Sequence, residues 1–332
     1  MTIDATGQVS LQESRRVSDM KTIAVIGATG AQGGSLARAI LADANRRFAV
    51  RAITRNTDSD KARALAAAGA ELVVGDADDP ASLERAFAGA HGAFLVTNFW
   101  EHFSPERELN QAGALARATK AAGVAHAVWS TLEDTRLSFP LDDRRLKTLQ
   151  GKYKVPHFDA KGEADAIFAA EGAPTSYLMA AFYWENFIYF GQGPRKGADG
   201  NVVFALPLGG GKLPGIAADD IGKCAYGIFQ RGPEVAGQRF GIAGDVCSGP
   251  EYAAAFSRHL GLPVSFYDMP FDEYRTLGFP GADDMANMYQ HHAILGEEFR
   301  RLRSPEVARA LNPALQSFDV WLSANAGRIP IG

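Results

Sequence analysis

The amino-acid sequence predicts an α/β fold, in which a doubly wound parallel sheet with helices on both faces precedes a smaller α+β C-terminal domain. Two observations lead to this prediction. From Lys21 to Ala180, short apolar runs alternate with segments of helical periodicity, which is typical of right-handed β-α-β crossovers and of a covered parallel sheet. After Ala180 this alternation ends, and glycine and proline become frequent between residues 191 and 215.

Six segments of the first part are predicted to be strands, because each is a short apolar run bounded by turn residues. In chain order they are KTIAVI, FAVRAITR, ELVVGD, GAFLVTN, HAVWST and TSYLMA. The helices between them are predicted at SLARAILADA, DKARALAAAG, DDPASLERAFAG, PERELNQAGALARATKAAG and FDAKGEADAIFAAEG. Gly69 is suited to end a helix, and Pro80 to occupy a first helical turn.

The remaining segments are less regular. Residues 133–156, rich in Arg, Lys and Asp, are predicted to form a surface excursion. Beyond residue 180 we expect strands at VVFAL, QRFGIAG and PVSFYDM, and helices at DDIGKCAYGIFQRG, PEYAAAFSRHLG and much of 283–325. The predicted organisation is a disordered tail (1–20), a main domain (21–180) and a smaller domain (181–332) with segments that return to the main sheet.

The composition argues against several classes of protein. The 332 residues include two cysteines, which argues against a disulfide framework and predicts a reduced, cytoplasmic location. The formal charge of −4 argues against a general nucleic-acid surface. The first 20 residues lack the apolar core of a signal peptide, and no apolar run is long enough to span a bilayer. We therefore expect neither direct nucleic-acid binding nor membrane insertion.

The segment after the first predicted strand, GATGAQGGSLAR, carries Gly27, Gly30 and Gly33 in the pattern G-x-x-G-x-x-G. Glycine permits a tight turn and lets backbone N–H groups approach a pyrophosphate without an obstructing Cβ. The helix that follows offers free N–H donors and a favourable dipole to the anion. A glycine-rich turn without a ligand is the alternative, but the strand–turn–helix context favours a Rossmann-type dinucleotide site.

The ends of the next predicted strands place polar groups at the same edge of the sheet. An acidic residue at the end of the second strand would bind the ribose of NAD, whereas Arg55 and Asn56 stand there and favour the 2′-phosphate of NADP. Asp76 is a candidate acceptor for the adenine amino group, and Thr97 and Asn98 are candidate ribose or phosphate contacts. The alternatives are a solvated arginine and an aspartate that only forms a turn.

The motifs GATGAQGGS, VTNFWE, HFDAKGE, FYWEN and GFPGADDMANM occur in this order between about Lys21 and Ile329. Together they resemble the NmrA-like family of atypical short-chain dehydrogenase/reductases, and most closely its branch of animal NADPH sensors. The resemblance implies a Rossmann lobe that binds NADP(H) and a smaller lobe that forms a cleft with it. In relatives, cofactor occupancy changes shape and partner binding, and the fungal founder controls a transcription factor without turning over a substrate.

The motifs and the resemblance together place the NADP(H) contacts along the whole carboxyl edge of the sheet. The predicted contacts are Gly27, Ala28, Thr29, Gly30, Ala31, Gln32, Gly33, Arg55, Asn56, Asp76, Ala77, Thr97, Asn98, Phe99, Lys161, Tyr183, Trp184, Glu185 and Asn186. The chain departs from the family where basic residues give way to Thr57, Asp58 and Ser59, and where a lysine gives way to Asn110. Both changes remove positive charge near the expected phosphates, which weakens the expected selectivity for NADP.

The sequence leaves the question of catalysis open. Active short-chain dehydrogenases carry Tyr-x-x-x-Lys, whereas the run HFDAK here places His157 four residues before Lys161. His157 is a candidate acid or base, but the sensor branch shares it, which favours a structural or cofactor-orienting role. Lys161 is a ribose contact, a general base of the kind in isoflavone-reductase-like relatives, or a surface lysine.

Two further runs admit more than one interpretation. The aromatic run FYWENF is either core or the wall of an apolar pocket above the nicotinamide. Acidic residues accompany His291 and His292 in the sequence: Asp283, Asp284, Glu297 and Glu298. Adjacent histidines on a helix point in different directions, so we predict no metal site.

Two functions remain candidates at this stage. In the first, NADP(H) occupancy changes the cleft between the lobes or self-association, and so reports redox state to a regulatory protein partner. In the second, the protein is an NAD(P)H-dependent reductase of a small conjugated, quinone-like or imine substrate, with Lys161 or His157 handling the proton. The absence of the usual tyrosine favours the sensor, and a homodimer is compatible with either function.

Overall fold

The computed structural model describes residues 20–332, so the predicted tail lies outside the described residues apart from Met20. The main sheet consists of β1 (Lys21–Ile26), β2 (Phe48–Thr54), β3 (Glu71–Val74), β4 (Gly92–Leu95), β5 (His126–Thr131), β6 (Thr175–Ala180) and β11 (Arg239–Ile242). Its strand order is β11-β6-β5-β4-β1-β2-β3, and all neighbouring strands run parallel. The predicted doubly wound parallel sheet is confirmed, and its winding reverses between β1 and β4.

Helices cover both faces of this sheet. They are α1 (Ala31–Leu41), α2 (Asp60–Ala67), α3 (Pro80–Phe87), α4 (Pro105–Ala121), α5 (Pro156–Glu171) and α7 (Ala218–Arg231). Ile23 and Val25 of β1 pack in the core that includes Leu36 of α1, whereas Ala24 packs in the core that includes Leu115 of α4. Successive side chains of a strand point to opposite faces, so a continuous apolar strand fills both cores.

The second lobe, as we call the remaining elements beyond β6, contains two three-stranded sheets. One consists of β7 (Phe182–Tyr183), β10 (Lys212–Ile216) and β12 (Asp245–Ser248), and the other of β8 (Arg195–Lys196), β9 (Val202–Leu206) and β13 (Val264–Asp268). Its helices are α6 (Asn186–Tyr189), α8 (Gly249–Leu260), α9 (Phe271–Arg275), α10 (Ala282–Leu295), α11 (Glu297–Arg301) and α13 (Phe318–Asn325). The helix α12 (Pro305–Leu311) packs instead against β11 and α7 of the main domain. Its aromatic core includes Phe187, Phe204, Tyr252, Phe256 and Phe318.

The segment 133–156 is not the simple surface excursion that the sequence predicts. Phe139 and Val155 are buried, and so is the whole of Lys154. The Lys154 ammonium donates to the carbonyls of Leu141 (3.2 Å), Asp143 (2.7 Å) and Leu146 (2.8 Å) and to the hydroxyl of Thr148 (2.9 Å). The segment therefore winds around an internal cation, an arrangement that its charged composition does not reveal. Within residues 20–332, no helix combines the length and the apolar character needed to cross a membrane.

Candidate functional site

The carboxyl ends of β1, β2, β4 and β5 meet at one edge of the main sheet, beside the point where the strand order reverses. In the bend after β1, Gly27 has a φ of +63°, which side chains disfavour. A Cβ on Gly33 would lie 2.5 Å from the Gly27 carbonyl oxygen, so α1 packs directly on the strand end. Gly30 begins α1 without a side-chain cap, which leaves first-turn N–H groups available to an anion. The other bend residues differ in exposure: Ala28 is buried, Thr29 is partly buried and Ala31 is exposed.

Gln32, in the first turn of α1, contacts the second lobe. Its amide nitrogen donates a hydrogen bond to the hydroxyl of Tyr183. Burial raises the pKa of Tyr183 well above its usual value, so this phenol is neutral at physiological pH. Gln32 Oε1 is buried without a hydrogen-bond partner among residues 20–332. A buried acceptor beside the glycine bend fits a ligand that brings a hydrogen-bond donor, as a nucleotide does.

Lys161 lies in a buried polar network below the same edge. Its ammonium nitrogen is 2.7 Å from Glu108 Oε1, and it donates to the hydroxyl (2.8 Å) and the carbonyl (3.1 Å) of Thr97. The Thr97 hydroxyl in turn donates to Glu108 Oε1 at 2.6 Å. Thr97 therefore accepts hydrogen bonds from two of the three N–H groups of the ammonium, and Glu108 balances its charge. With 11% of its side chain exposed, Lys161 is not the surface lysine of the third alternative.

Helix α4 supplies Glu108 to this network. The hydroxyl of Ser104 caps the helix and Pro105 takes its first position, so α4 begins sharply. Glu108 then falls on the buried face that also carries Gln111 and Leu115, three and seven residues further on. The carboxylate is completely buried, and the lysine that it faces offsets the cost of removing its charge from water.

His157 connects α5 with α10 of the second lobe. Its Nδ1 lies 2.7 Å from Asp284 Oδ1, and its backbone N–H donates to Oδ2 of the same carboxylate at 3.2 Å. An ionised carboxylate only accepts, so we place the ring proton on Nδ1. The ring centroids of Trp100 and Phe158 each lie 4.7 Å from that of His157. The carboxylate and the aromatic neighbours together fix the orientation of the imidazole.

The aromatic turn after β4 packs against the residue that precedes α10. Gly281 has a φ of +84°, and a Cβ there would lie 3.0 Å from the Trp100 ring and 3.2 Å from the Phe103 ring. Phe99 is buried beneath this contact and packs edge-on against both rings, rather than facing an open site. We call the contacts among Trp100, Phe103, His157, Gly281 and Asp284 the interlobe contact.

Arg55 follows β2 and forms a two-pronged ion pair with Glu101. Nη1 and Nη2 lie 2.9 Å and 2.8 Å from the two carboxylate oxygens, and Asn98 Nδ2 donates to the same carboxylate at 3.2 Å. This hydrogen-bonded pairing raises the pKa of Arg55 and lowers the pKa of Glu101. Arg55 is therefore not simply solvated, because the Glu101 carboxylate already binds both terminal nitrogens of its guanidinium.

Several predicted contacts have other roles in the structure. Trp184 is fully buried in the aromatic core, where its indole N–H donates to Tyr252 at 3.3 Å. Glu185 accepts from the backbone N–H of Ala218, at 2.8 Å, and so caps the start of α7. Asn186 begins the short helix α6. Because Trp184 is fully buried, the core interpretation of FYWENF holds for this residue.

Two predicted contacts at strand ends form turns. The Asp76 carboxylate accepts from the backbone N–H of Asp78 at 3.0 Å, and Asn56 Oδ1 accepts from that of Asp58 at 2.9 Å. Ala77 is partly buried and packs against the core below the sheet edge. The turn-forming alternative for Asp76 is the one observed.

The two adjacent histidines of α10 have separate surroundings. His291 is buried, and this burial lowers its pKa to about 4. His292 stacks on Phe299 with ring centroids 3.7 Å apart. Asp284 is bound to His157 instead of either of them. Between residues 20 and 332, no group of three His, Cys, Asp or Glu side chains is arranged to hold a metal ion.

Three carboxylates of the site have roles that the sequence analysis did not assign. Glu101 lies inside the VTNFWE motif, Glu108 inside a predicted helix, and Asp284 beside the histidines that suggested a metal. Glu108 had a usable signal, because a single acid on an apolar helix face usually has a buried partner. Glu101 and Asp284 had no comparable signal in the sequence.

A family model described as the NmrA-like family matches residues 19–309. This chain belongs to the NmrA-like family. The resemblance to the NmrA-like family is thereby confirmed, and so is the membership of the chain among the atypical short-chain dehydrogenase/reductases. The closer likeness to the branch of NADPH sensors stays a prediction.

Known members of the NmrA-like family include fungal proteins named oxidoreductases. The chain is 34% identical over 226 residues to the NmrA-like family domain-containing oxidoreductase himF of Aspergillus japonicus, an alignment that covers 63% of this chain and 64% of that protein. It therefore spans slightly less than two thirds of the himF protein. It is 28% identical over 297 residues to the NmrA-like family domain-containing oxidoreductase FrzB of Cladobotryum sp, covering 83% of this chain and 85% of that protein.

A solved structure of this family has the same fold. The crystal structure of NmrA, described as a negative transcriptional regulator in complex with NADP, superposes with a TM-score of 0.73 at 23% identity. The match covers 92% of this chain and 94% of that chain. The likeness establishes that the two proteins share the overall architecture.

Proposed function

We propose that this NmrA-like protein binds NADP(H) or NAD(H) across the carboxyl edge of the main sheet, with the pyrophosphate at the bend after β1. The uncapped start of α1, the positive φ of Gly27 and the unpaired Gln32 Oε1 support this site. A bound nicotinamide would supply hydride-transfer chemistry. Arg55 as a contact to a 2′-phosphate, a cytoplasmic location and a homodimeric state stay predictions.

We propose further that occupancy of this site is reported through the second lobe, as in a redox sensor. The interlobe contact carries this proposal, because it joins the turn after β4 to α10 in two ways. The turn packs directly on Gly281, and its Trp100 also contacts His157 of α5, which hydrogen-bonds to Asp284. A nucleotide that shifts Thr97 or Asn98 moves the aromatic turn directly behind them, and this turn packs against Gly281. The resulting change in α10 would alter the surface offered to a protein partner.

Hydrogen–deuterium exchange with and without each nucleotide tests the sensor proposal. We expect NADPH to protect residues 97–103 and, through the interlobe contact, residues 281–290. In Asp284→Asn the first protection should remain and the second should shrink, because the charged acceptor of His157 is lost. Asp283→Asn is the matched control, since Asp283 is 64% exposed and lies 3.9 Å from Arg275. Nucleotide binding that leaves exchange in 281–290 unchanged would contradict signalling between the lobes.

A reductase is the second candidate function, and the geometry of His157 favours it. A carboxylate that holds Nδ1 fixes the imidazole, which leaves Nε2 as the atom that could exchange a proton with a substrate. Lys161 would then contact the ribose, because its hydrogen bonds to Thr97 use two of its three ammonium N–H groups. The names of the fungal relatives also support a reductase.

A panel of quinones, enones and imines with NADPH distinguishes the two functions. Steady NADPH oxidation that is lost in His157→Gln and in Lys161→Ala would support the reductase and count against a pure sensor. If NADPH oxidation persists in both variants, neither His157 nor Lys161 is needed for proton transfer, and their assigned roles are wrong. With no turnover across the panel, the reductase proposal loses its support, while the exchange experiment still decides the sensor proposal.

A further inference from the structure

We infer that Glu101 is a selectivity residue that lowers the affinity of the site for NADP(H) relative to NAD(H). The inference rests on the proposed dinucleotide site and concerns its adenosine end. Arg55 stands directly after β2, at the position where Rossmann-type sites contact the adenosine ribose. The charge of the side chains at this position determines whether the site binds the 2′-hydroxyl of NAD(H) or the 2′-phosphate of NADP(H).

The Arg55 fork is already filled by a carboxylate. Both terminal nitrogens are paired with Glu101, at 2.8 Å and 2.9 Å, which is the geometry that a phosphate would otherwise use. The side chains of Arg55 and Glu101 are 58% and 42% exposed, so the pair can open to an incoming ligand. A 2′-phosphate therefore competes with Glu101 for the same donors.

The surrounding charges strengthen this competition. Asp76 and Asp78 add to Glu101 in raising the pKa of Arg55, so several carboxylates already act on this one guanidinium. Arg107 is committed to Asp78, with Nη2 and Nε at 2.7 Å and 3.4 Å from its oxygens. The basic residues expected from the family are replaced by Asp58 and neighbouring polar groups.

Glu101 affects the two cofactors in opposite directions. A phosphate with nearly two negative charges has to displace the carboxylate or lie beside it, and both outcomes weaken binding. The 2′-hydroxyl of NAD can instead donate a hydrogen bond to a carboxylate, as it does to the acidic residue at the end of β2 in NAD-binding sites. Glu101 thus provides, from the turn after β4, the carboxylate that is missing at the end of β2.

Calorimetric titration of the full chain with NADPH and with NADH tests the inference. We expect Glu101→Gln to bind NADPH about tenfold more tightly, because it frees the Arg55 fork and removes one repelling charge. NADH affinity should stay the same or fall slightly. Glu106→Gln is the matched control, since Glu106 is similarly exposed and paired with Lys152, and it changes the net charge equally. The control should leave the ratio of the two affinities unchanged.

The same Glu101→Gln substitution in an Arg55→Ala variant shows whether Glu101 competes for Arg55 or only repels the phosphate. In Arg55→Ala the gain in NADPH affinity from Glu101→Gln should shrink, because no freed guanidinium remains to receive the phosphate. An unchanged NADPH-to-NADH ratio in Glu101→Gln, with NADH still bound, would overturn the inference alone. Failure of the wild-type chain to bind either nucleotide would overturn the proposed function and this inference with it.

Discussion

Removing the charge of Glu108 tests the buried ion pair beneath the proposed cofactor edge. Glu108→Gln preserves the size of the side chain and an acceptor for the Thr97 hydroxyl. It leaves the Lys161 ammonium without the carboxylate that lies 2.7 Å away. The side chains of Lys161 and Glu108 are 11% and 0% exposed, so water cannot take the place of the lost partner.

The expected loss follows from this burial. Breaking a buried pair by removing one partner destabilises a protein by about 3–5 kcal/mol. Lys161 keeps both oxygens of Thr97 as acceptors, so we expect the lower end, about 3 kcal/mol of unfolding free energy. In the double variant Glu108→Gln, Lys161→Met no charge remains buried, and its loss should be at least ~1.5 kcal/mol smaller than the sum of the single losses.

Urea unfolding of the wild type, both single variants and the double variant measures this coupling. The control cycle uses Glu106 and Lys152, because Glu106 lies on the same helix and pairs with a lysine at 3.1 Å. Its side chains are 58% and 64% exposed, so we expect its single losses to add without measurable coupling. If the Glu108–Lys161 losses add to within about 0.5 kcal/mol, the pair is not coupled and the buried network does not stabilise the fold as argued.

Two further predictions concern the core. Lys154→Met removes the ammonium that binds the carbonyls of Leu141, Asp143 and Leu146, so this segment should become less ordered. Trypsin should therefore cleave the segment faster in this variant than in the control Lys152→Met, which alters an exposed lysine. Stability should fall as pH drops from 6.5 to about 4, because burial lowers the pKa of His126 to about 4 and the unfolded chain takes up its proton first. His126→Gln keeps a hydrogen-bond donor for Ser176 but has no titrating group. Urea unfolding between pH 6.5 and 4 should therefore show a smaller loss of unfolding free energy in this variant than in the wild type. An equal loss would contradict the role of His126.

Much of the fold could be predicted because the relevant signals are local. A continuous apolar run such as KTIAVI fills both faces of a parallel strand, and the following glycine allows the backbone to turn at once. The sequence predicts a strand over Arg239–Ile242 and a return of some later segments to the main sheet, but not that this strand lies beside β6, because that place depends on long-range packing. The prediction of a surface excursion for segment 133–156 was wrong, because its charged residues resemble a solvated surface while one of them, Lys154, lies inside.

The sequence by itself determined the parallel sheet, the glycine bend and the residues gathered at the strand ends, since backbone conformation and the period of apolar residues depend on near neighbours. The tertiary structure alone decided which charges meet: Arg55 with Glu101, 46 residues apart, and His157 with Asp284, 127 residues apart. A residue type determines which interactions are chemically available, but only the packed chain brings one particular partner within 3 Å. For that reason the glycine bend and the strand ends of the candidate site were predictable, whereas the pairing of its charges was not.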